Sequence, residues 1–283
     1  MRLVKFLILL LFAGLVFGGA AFFGYQLFVK PDVEDRKDEV AVANAPEPTP
    51  TPDYSLPAFE TALALIQAGK PFEARDALLN FLVQYPQSTK LAEARALLGQ
   101  INTDEVFTSM EAPGKVEYTV VKGDSLLKIA SKTNSNAELI LRANNLVSID
   151  LQIGQQLRIP QMDPSILVDQ AAGTVTLYDG GRFFKEYPLL SIKIPSLKGG
   201  EAADMTIKDK LALDGSNRMA FGSPGYVGSE RWLMLDQGGI VIRGLHPPKD
   251  GSEPSMAAGV VVSQEAIEEI FPLVSRGTPV TIQ

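Results

Sequence analysis

The stretch "VEYTVVKGDSLLKIASKTNSNAELILRANNLVSIDLQIGQQLRIP", residues 116–160, changes its hydrophobic pattern twice within a short length. Residues 118–121 read as a strand, and Lys122-Gly123-Asp124 as the turn that ends it. Asp124 or Ser125 then opens a helix as its N-cap, because either side chain accepts from an unpaired N–H of the first turn. A second helix is expected over residues 137–144 and a returning strand over 156–159, so the segment is a βααβ unit.

The runs "YTVVKGDSLLKIA", "LILRANNL" and "IGQQLRIP" resemble the LysM module over its whole length. The resemblance implies two helices packed on a two-stranded antiparallel sheet. It also implies binding of glycans that contain N-acetylglucosamine, as in peptidoglycan or chitin. It places the glycan groove at Gly123, Asp124, Ser125 and Leu126 after the first strand, and at Leu151, Gln152, Ile153 and Gly154 before the second. Glycines there allow tight turns and bring backbone donors and acceptors close to sugar hydroxyl and acetamido groups. Each residue also has a purely structural reading: Asp124 or Ser125 as cap, Gly154 as turn glycine, Leu126 and Ile153 as core of a small domain.

From residue 164 the texture turns to strands. "ILVDQAAGTVTLYDGGRFFKEYPL" alternates around Ala-Gly and Asp-Gly-Gly turns as consecutive hairpins do. Further strands are expected at 231–235 and 239–243, then a helix over 264–274 and a last strand in "TPVTIQ". That opening run, "GGIVIRG" and "SQEAIEEIFPLVSRGTPVTI" resemble the L,D-transpeptidase catalytic domain, a β-rich fold that crosslinks peptidoglycan stems.

The chemistry implied by that resemblance needs a cysteine thiolate, a histidine that activates it and oxyanion donors. The chain has no cysteine and a single histidine. Aligned from "SQEAIEEI", Gly259 occupies the nucleophile position and Val261 that of the following arginine; aligned from Ser255, Ala258 occupies it. Arg243 stands where the resemblance calls for histidine, and His246 lies three residues downstream. Arg243, His246, Ser255, Ala258 and Gly259 therefore outline a degenerate cleft, and no catalytic residue is assigned. The competing reading is an active peptidoglycan-modifying enzyme using a non-Cys nucleophile, with Ser255 or Ser263 beside His246 and Asp250. No Gly-x-Ser-x-Gly elbow supports it.

Upstream, residues 57–108 carry apolar residues at three- and four-residue spacing, broken at Gly69-Lys70-Pro71 and Tyr85-Pro86. Helices are expected at 57–68, 71–84 and 88–100 and resemble a tetratricopeptide-type hairpin with a third helix. A single such repeat does not make a solenoid groove. Residues 31–56 are acidic and Pro-rich, a disordered linker with a reach on the order of 70 Å if extended.

Residues 1–30 hold 24 uncharged positions from Phe6 to Val29 behind Arg2 and Lys5. That length spans a hydrocarbon core of roughly 30 Å as a helix, and the basic residues place the N-terminus inside. The competing reading is a cleavable signal peptide, for which "GGAA" offers small residues.

The expectation is thus a multidomain α+β protein with five parts: anchor 1–30, linker 31–56, helical unit 57–108, LysM module 115–161 and transpeptidase-like domain 164–283. It would be a single-pass protein of a bacterial cytoplasmic membrane with its bulk in the periplasm or cell-wall space, its partners the membrane and peptidoglycan. The net charge of −7, with no basic cluster, argues against nucleic acid. The lack of cysteine, the lone histidine and the missing metal and phosphate-loop motifs leave no cofactor or metal expected.

Overall fold

A computed structural model of the protein describes residues 54–194, 202–237, 239–245 and 259–283. The segment read as an anchor, the linker to residue 53, and His246, Ser255 and Ala258 lie outside the described residues. Among the described residues no helix is long and apolar enough to cross a membrane. Tyr54–Gln283 forms one compact unit.

Three helices open it: α1 (Leu56–Gln67), α2 (Pro71–Gln84) and α3 (Leu91–Phe107). Proline in the first turns of α1 and α2 suits helix starts, where the missing N–H has no intrahelical acceptor. Phe59, Ala62, Leu78, Phe81, Ala94 and Leu98 bury their side chains together. The third helix runs seven residues beyond the expected end at 100. Gly99 does not stop it, because the glycine lets α3 lie directly on a neighbouring strand: an added Cβ there would sit 2.8 Å from Cγ of Lys185.

The βααβ unit is β1 (Lys115–Thr119), α4 (Leu126–Lys132), α5 (Ala137–Ala143) and β2 (Gln156–Pro160). The strands pair antiparallel, with Lys115 opposite Pro160 and Thr119 opposite Gln156. Of the two expected caps, Ser125 is the one that opens α4, its Oγ accepting from the Lys128 N–H. Asn136 caps α5 in the same way.

The C-terminal part holds β3 (Pro164–Asp169), β4 (Thr174–Asp179), β5 (Arg182–Pro188), β6 (Ser191–Lys193), β7 (Ala203–Asp214), β8 (Asn217–Arg218), β9 (Glu230–Leu235), β10 (Val241–Gly244), β11 (Gly259–Val262), α6 (Gln264–Leu273) and β12 (Pro279–Ile282). The sheet order is β5-β4-β3-β12-β7-β9-β10-β11-β6, with β8 beside β7. Two neighbouring pairs are parallel, β3 with β12 and β10 with β11. Strand β7 belongs to both halves: residues 203–206 pair with β12 and residues 207–213 with β9. Ile267, Ile270, Phe271 and Leu273 of α6 pack into a core with Ile166, Val168, Leu233, Ile242, Val260 and Val280.

The three parts are built into each other. Asn102 of α3 donates to the carbonyl of Phe184 at 2.8 Å, and Arg95 pairs with Glu186 at 3.1 Å. Leu139 of α5 belongs to the large C-terminal core. Arg142, one turn on, stacks over the Phe107 ring at 3.9 Å and donates to the Glu268 carbonyl at 2.7 Å.

Candidate functional site

Two candidate sites follow from the sequence. In the βααβ unit, Val120 accepts from the Gly154 N–H at 2.8 Å and donates to the Gln155 carbonyl at 2.9 Å. These bonds extend the β1–β2 ladder and bring the 123–126 and 151–154 loops side by side. Gly123 and Gly154 both take positive φ, +88° and +85°, and open space lies where a Cβ would be.

The eight residues then divide by role. Leu126 is 2% exposed and packs with Ile129, Ile140, Leu157 and half-buried Leu151. Asp124 has its side chain 2% exposed and ties the loop together. It accepts from Lys132 Nζ at 2.7 Å, the Val121 N–H at 3.0 Å and Tyr118 OH at 2.9 Å. The Lys132 bond first, then the Val121 N–H, hold its carboxyl down at about 2. Lys128 Nζ caps the Gly123 carbonyl at 2.7 Å. That leaves Gly123, Ser125, Gln152, Ile153 and Gly154 presented to solvent, with Ile153 72% exposed. An exposed isoleucine between polar backbone turns is a surface for the apolar face of a sugar ring, with hydrogen-bonding groups at its rim.

The second site lies where β10 and β11 run parallel, Ile242 opposite Val260 and Arg243 opposite Val261. Gly259, at the head of β11, has φ +110°, and a Cβ built on it would stand 2.8 Å from Val241 Cγ2 and closer still to the Val241 carbonyl oxygen. The backbone itself fills the space a side chain would need. Arg243 is buried on β10, with its guanidinium 6.0 Å from the centre of the Trp232 ring on β9. Val261 is fully buried. Ser263 is engaged as the cap of α6, accepting from the Ala266 N–H at 3.1 Å.

A third constellation gave no motif to read. Arg231, 3% exposed, points between Glu138 of α5, at 3.6 Å, and Glu268 of α6, at 3.4 Å. The Tyr226 ring lies 4.1 Å from its guanidinium, and the phenol donates to Glu138 at 2.6 Å. Burial, then the Glu138 charge, pushes the Tyr226 hydroxyl well above its ordinary value. Its only trace in the sequence is the single Arg at an inward position of β9, among Leu233 and Leu235.

Residues 118–160 match the LysM domain family. YkuD, a candidate L,D-transpeptidase of Bacillus subtilis (strain 168), is 26% identical over 171 residues, covering 58% of this chain and 97% of that protein. The aligned length exceeds residues 164–283, so the similarity reaches upstream of the C-terminal sheet.

Similar solved structures include an L,D-transpeptidase from Mycobacterium smegmatis, at TM-score 0.31 and 15% identity. That match covers 47% of this chain and 64% of the other, just under two thirds. Another is the catalytic domain of the E. faecium L,D-transpeptidase acylated by ertapenem, at TM-score 0.27 and 20% identity, covering 44% of this chain and 98% of the other. The protein therefore carries a LysM domain followed by an L,D-transpeptidase-like region.

Proposed function

We propose that the protein binds peptidoglycan glycan through its LysM domain and that its transpeptidase-like domain is catalytically inactive, serving as a scaffold between membrane and cell wall. The observation that carries this reading is the juxtaposition of a LysM domain at residues 118–160 with Gly259, the nucleophile position in the register set by "SQEAIEEI", which has no room for a Cβ. The complete absence of cysteine and the arginine at position 243 support it. Glycan contact falls to the exposed set Gly123, Ser125, Gln152, Ile153 and Gly154. Residues 1–30 anchor the chain in the cytoplasmic membrane with the N-terminus inside, and the remainder faces the periplasm or cell-wall space.

The test is co-sedimentation of detergent-solubilised full-length protein with purified peptidoglycan, alongside mass spectrometry of muropeptides incubated with it. Wild type sediments, Ile153→Asp stays in solution, and the muropeptides are unchanged. Equal retention of Ile153→Asp would remove the groove assignment. New crosslinks or cleaved stems would overturn the inactive-domain assignment.

A further inference from the structure

The loop that carries Leu151–Gly154 has a second side. Its residues 147–149 face residues 221–228 of the β domain. The two segments are seated on each other: Phe221 packs on the LysM core, and a Cβ at Gly222 would be 2.8 Å from Ile149 Cδ1. Beside this contact lies a cavity of about 640 Å3 lined by both segments. Sites for small organic molecules span roughly 300–1,000 Å3.

Its lips are apolar and wet. Val147 on the LysM side is 103% exposed and Val227 on the β-domain side 91%. Its base is polar but balanced, with Arg142 and Arg231 facing Glu138 and Glu268, and Arg231 lying between the two carboxylates. No net charge is left to recruit an ionic group. Ser148 and Ser223 line the walls, and each hydroxyl, already donating to Asp150 or to the Ala220 carbonyl, keeps acceptor capacity. Methyl lips, a tyrosine ring, hydroxyls and a neutral base suit a sugar, whose C–H faces and hydroxyl edges alternate. A stem peptide bearing carboxylates would find no unbalanced cation there.

We infer that this cavity is a second glycan subsite, built jointly by the LysM loop and the β domain, which takes the N-acetylhexosamine disaccharide that follows the tetrasaccharide held in the LysM groove. The inference rests on the glycan-binding reading above, and on the continuity of one loop, residues 147–154, between the two places. In this arrangement the transpeptidase-like domain lengthens the LysM groove.

Calorimetry of the full-length protein with chitin tetrasaccharide and hexasaccharide tests it. Both Val227→Asp and Val147→Asp change exposed side chains and should leave the thermal melt unchanged. Each is expected to weaken hexasaccharide binding about tenfold, or about 1.4 kcal/mol, with tetrasaccharide binding retained. Ile153→Asp should weaken both ligands. If both valine variants bind hexasaccharide as wild type does, the second subsite is refuted while the groove stands. If wild type binds neither saccharide, the glycan-binding reading falls and the subsite with it. Competition by a sugar-free stem peptide, lost in Val227→Asp, would also overturn the inference by making the occupant a peptide.

Discussion

Replacing Gly259 by alanine asks whether the position aligned with the transpeptidase nucleophile is merely vacant or structurally closed. The backbone there has φ +110°, which side chains with a Cβ rarely adopt, and holding such a conformation costs about 1–3 kcal/mol. The new methyl would also press on the Val241 carbonyl and stand 2.8 Å from Val241 Cγ2. Val241 is held in β10 by its pairing with Met234, so relief requires β10 and β11 to separate, an overpacking cost of about 1–3 kcal/mol. The total, about 2–6 kcal/mol, lowers the melting temperature by at least about 4 °C, at roughly 2–4 °C per kcal/mol for a unit of this size. Thermal melts by circular dichroism, with urea midpoints alongside, read this directly. An alanine variant melting within about 1 °C of wild type would refute the reasoning, since about 0.5 kcal/mol is all such a shift allows. Gly259→Cys meets the same obstacle, so it should destabilise at least as much and gain no crosslinking activity.

Two further outcomes concern buried polar groups. Lys210 of β7 donates to the carbonyls of Phe271 and Val274 at the end of α6, at 2.5 and 2.7 Å, and burial pulls its pKa down to about 7. The folded state thus releases this proton before the unfolded chain does. Wild-type stability should rise between about pH 7 and 10 with a contribution of up to about 1.4 kcal/mol per pH unit, and Lys210→Met should remove that rise in urea titrations. Asp124 runs the other way: its pKa is depressed to about 2, so its stabilisation is complete above about pH 4 and vanishes as pH falls through about 2. Asp124→Asn should therefore melt below wild type at neutral pH, with the gap closing in acid, and a pH-independent gap would contradict the assignment.

Local patterns made much of this legible from residue order. The LysM elements follow the expected boundaries within a few residues because each end carries its own signal: Ser125 and Asn136 cap the helices, and Gly123 and Gly154 make the turns. The Gly180-Gly181 hairpin and α6 were equally local. What escaped was set by distant contacts. Gly99 resembles a helix end until Lys185 is placed against it. Strand β7 hides behind Asp204, Lys208, Asp209 and Lys210, charges that suit a solvated loop equally well. In the groove, sequence alone does not separate Leu126, which supports the loop from beneath, from Ile153, which stands out from it. Between β10 and β11, Gly259 and Arg243 stand out by their alignment, but the closure of the space by Val241 requires coordinates.

Among the described residues, strand β12 is the strand that joins the hairpins β3–β5 to the strands β7, β9, β10, β11 and β6. A chain emerging from the ribosome presents β3 long before the β12 strand that will lie beside it. Until residues 279–282 arrive, the inner edge of the early hairpins stays unsatisfied, a template for pairing with another chain. The burden of closing this sheet falls on a strand made after all the neighbours it joins, so the interval before that strand is delivered is when a chaperone or a neighbouring nascent chain would find it.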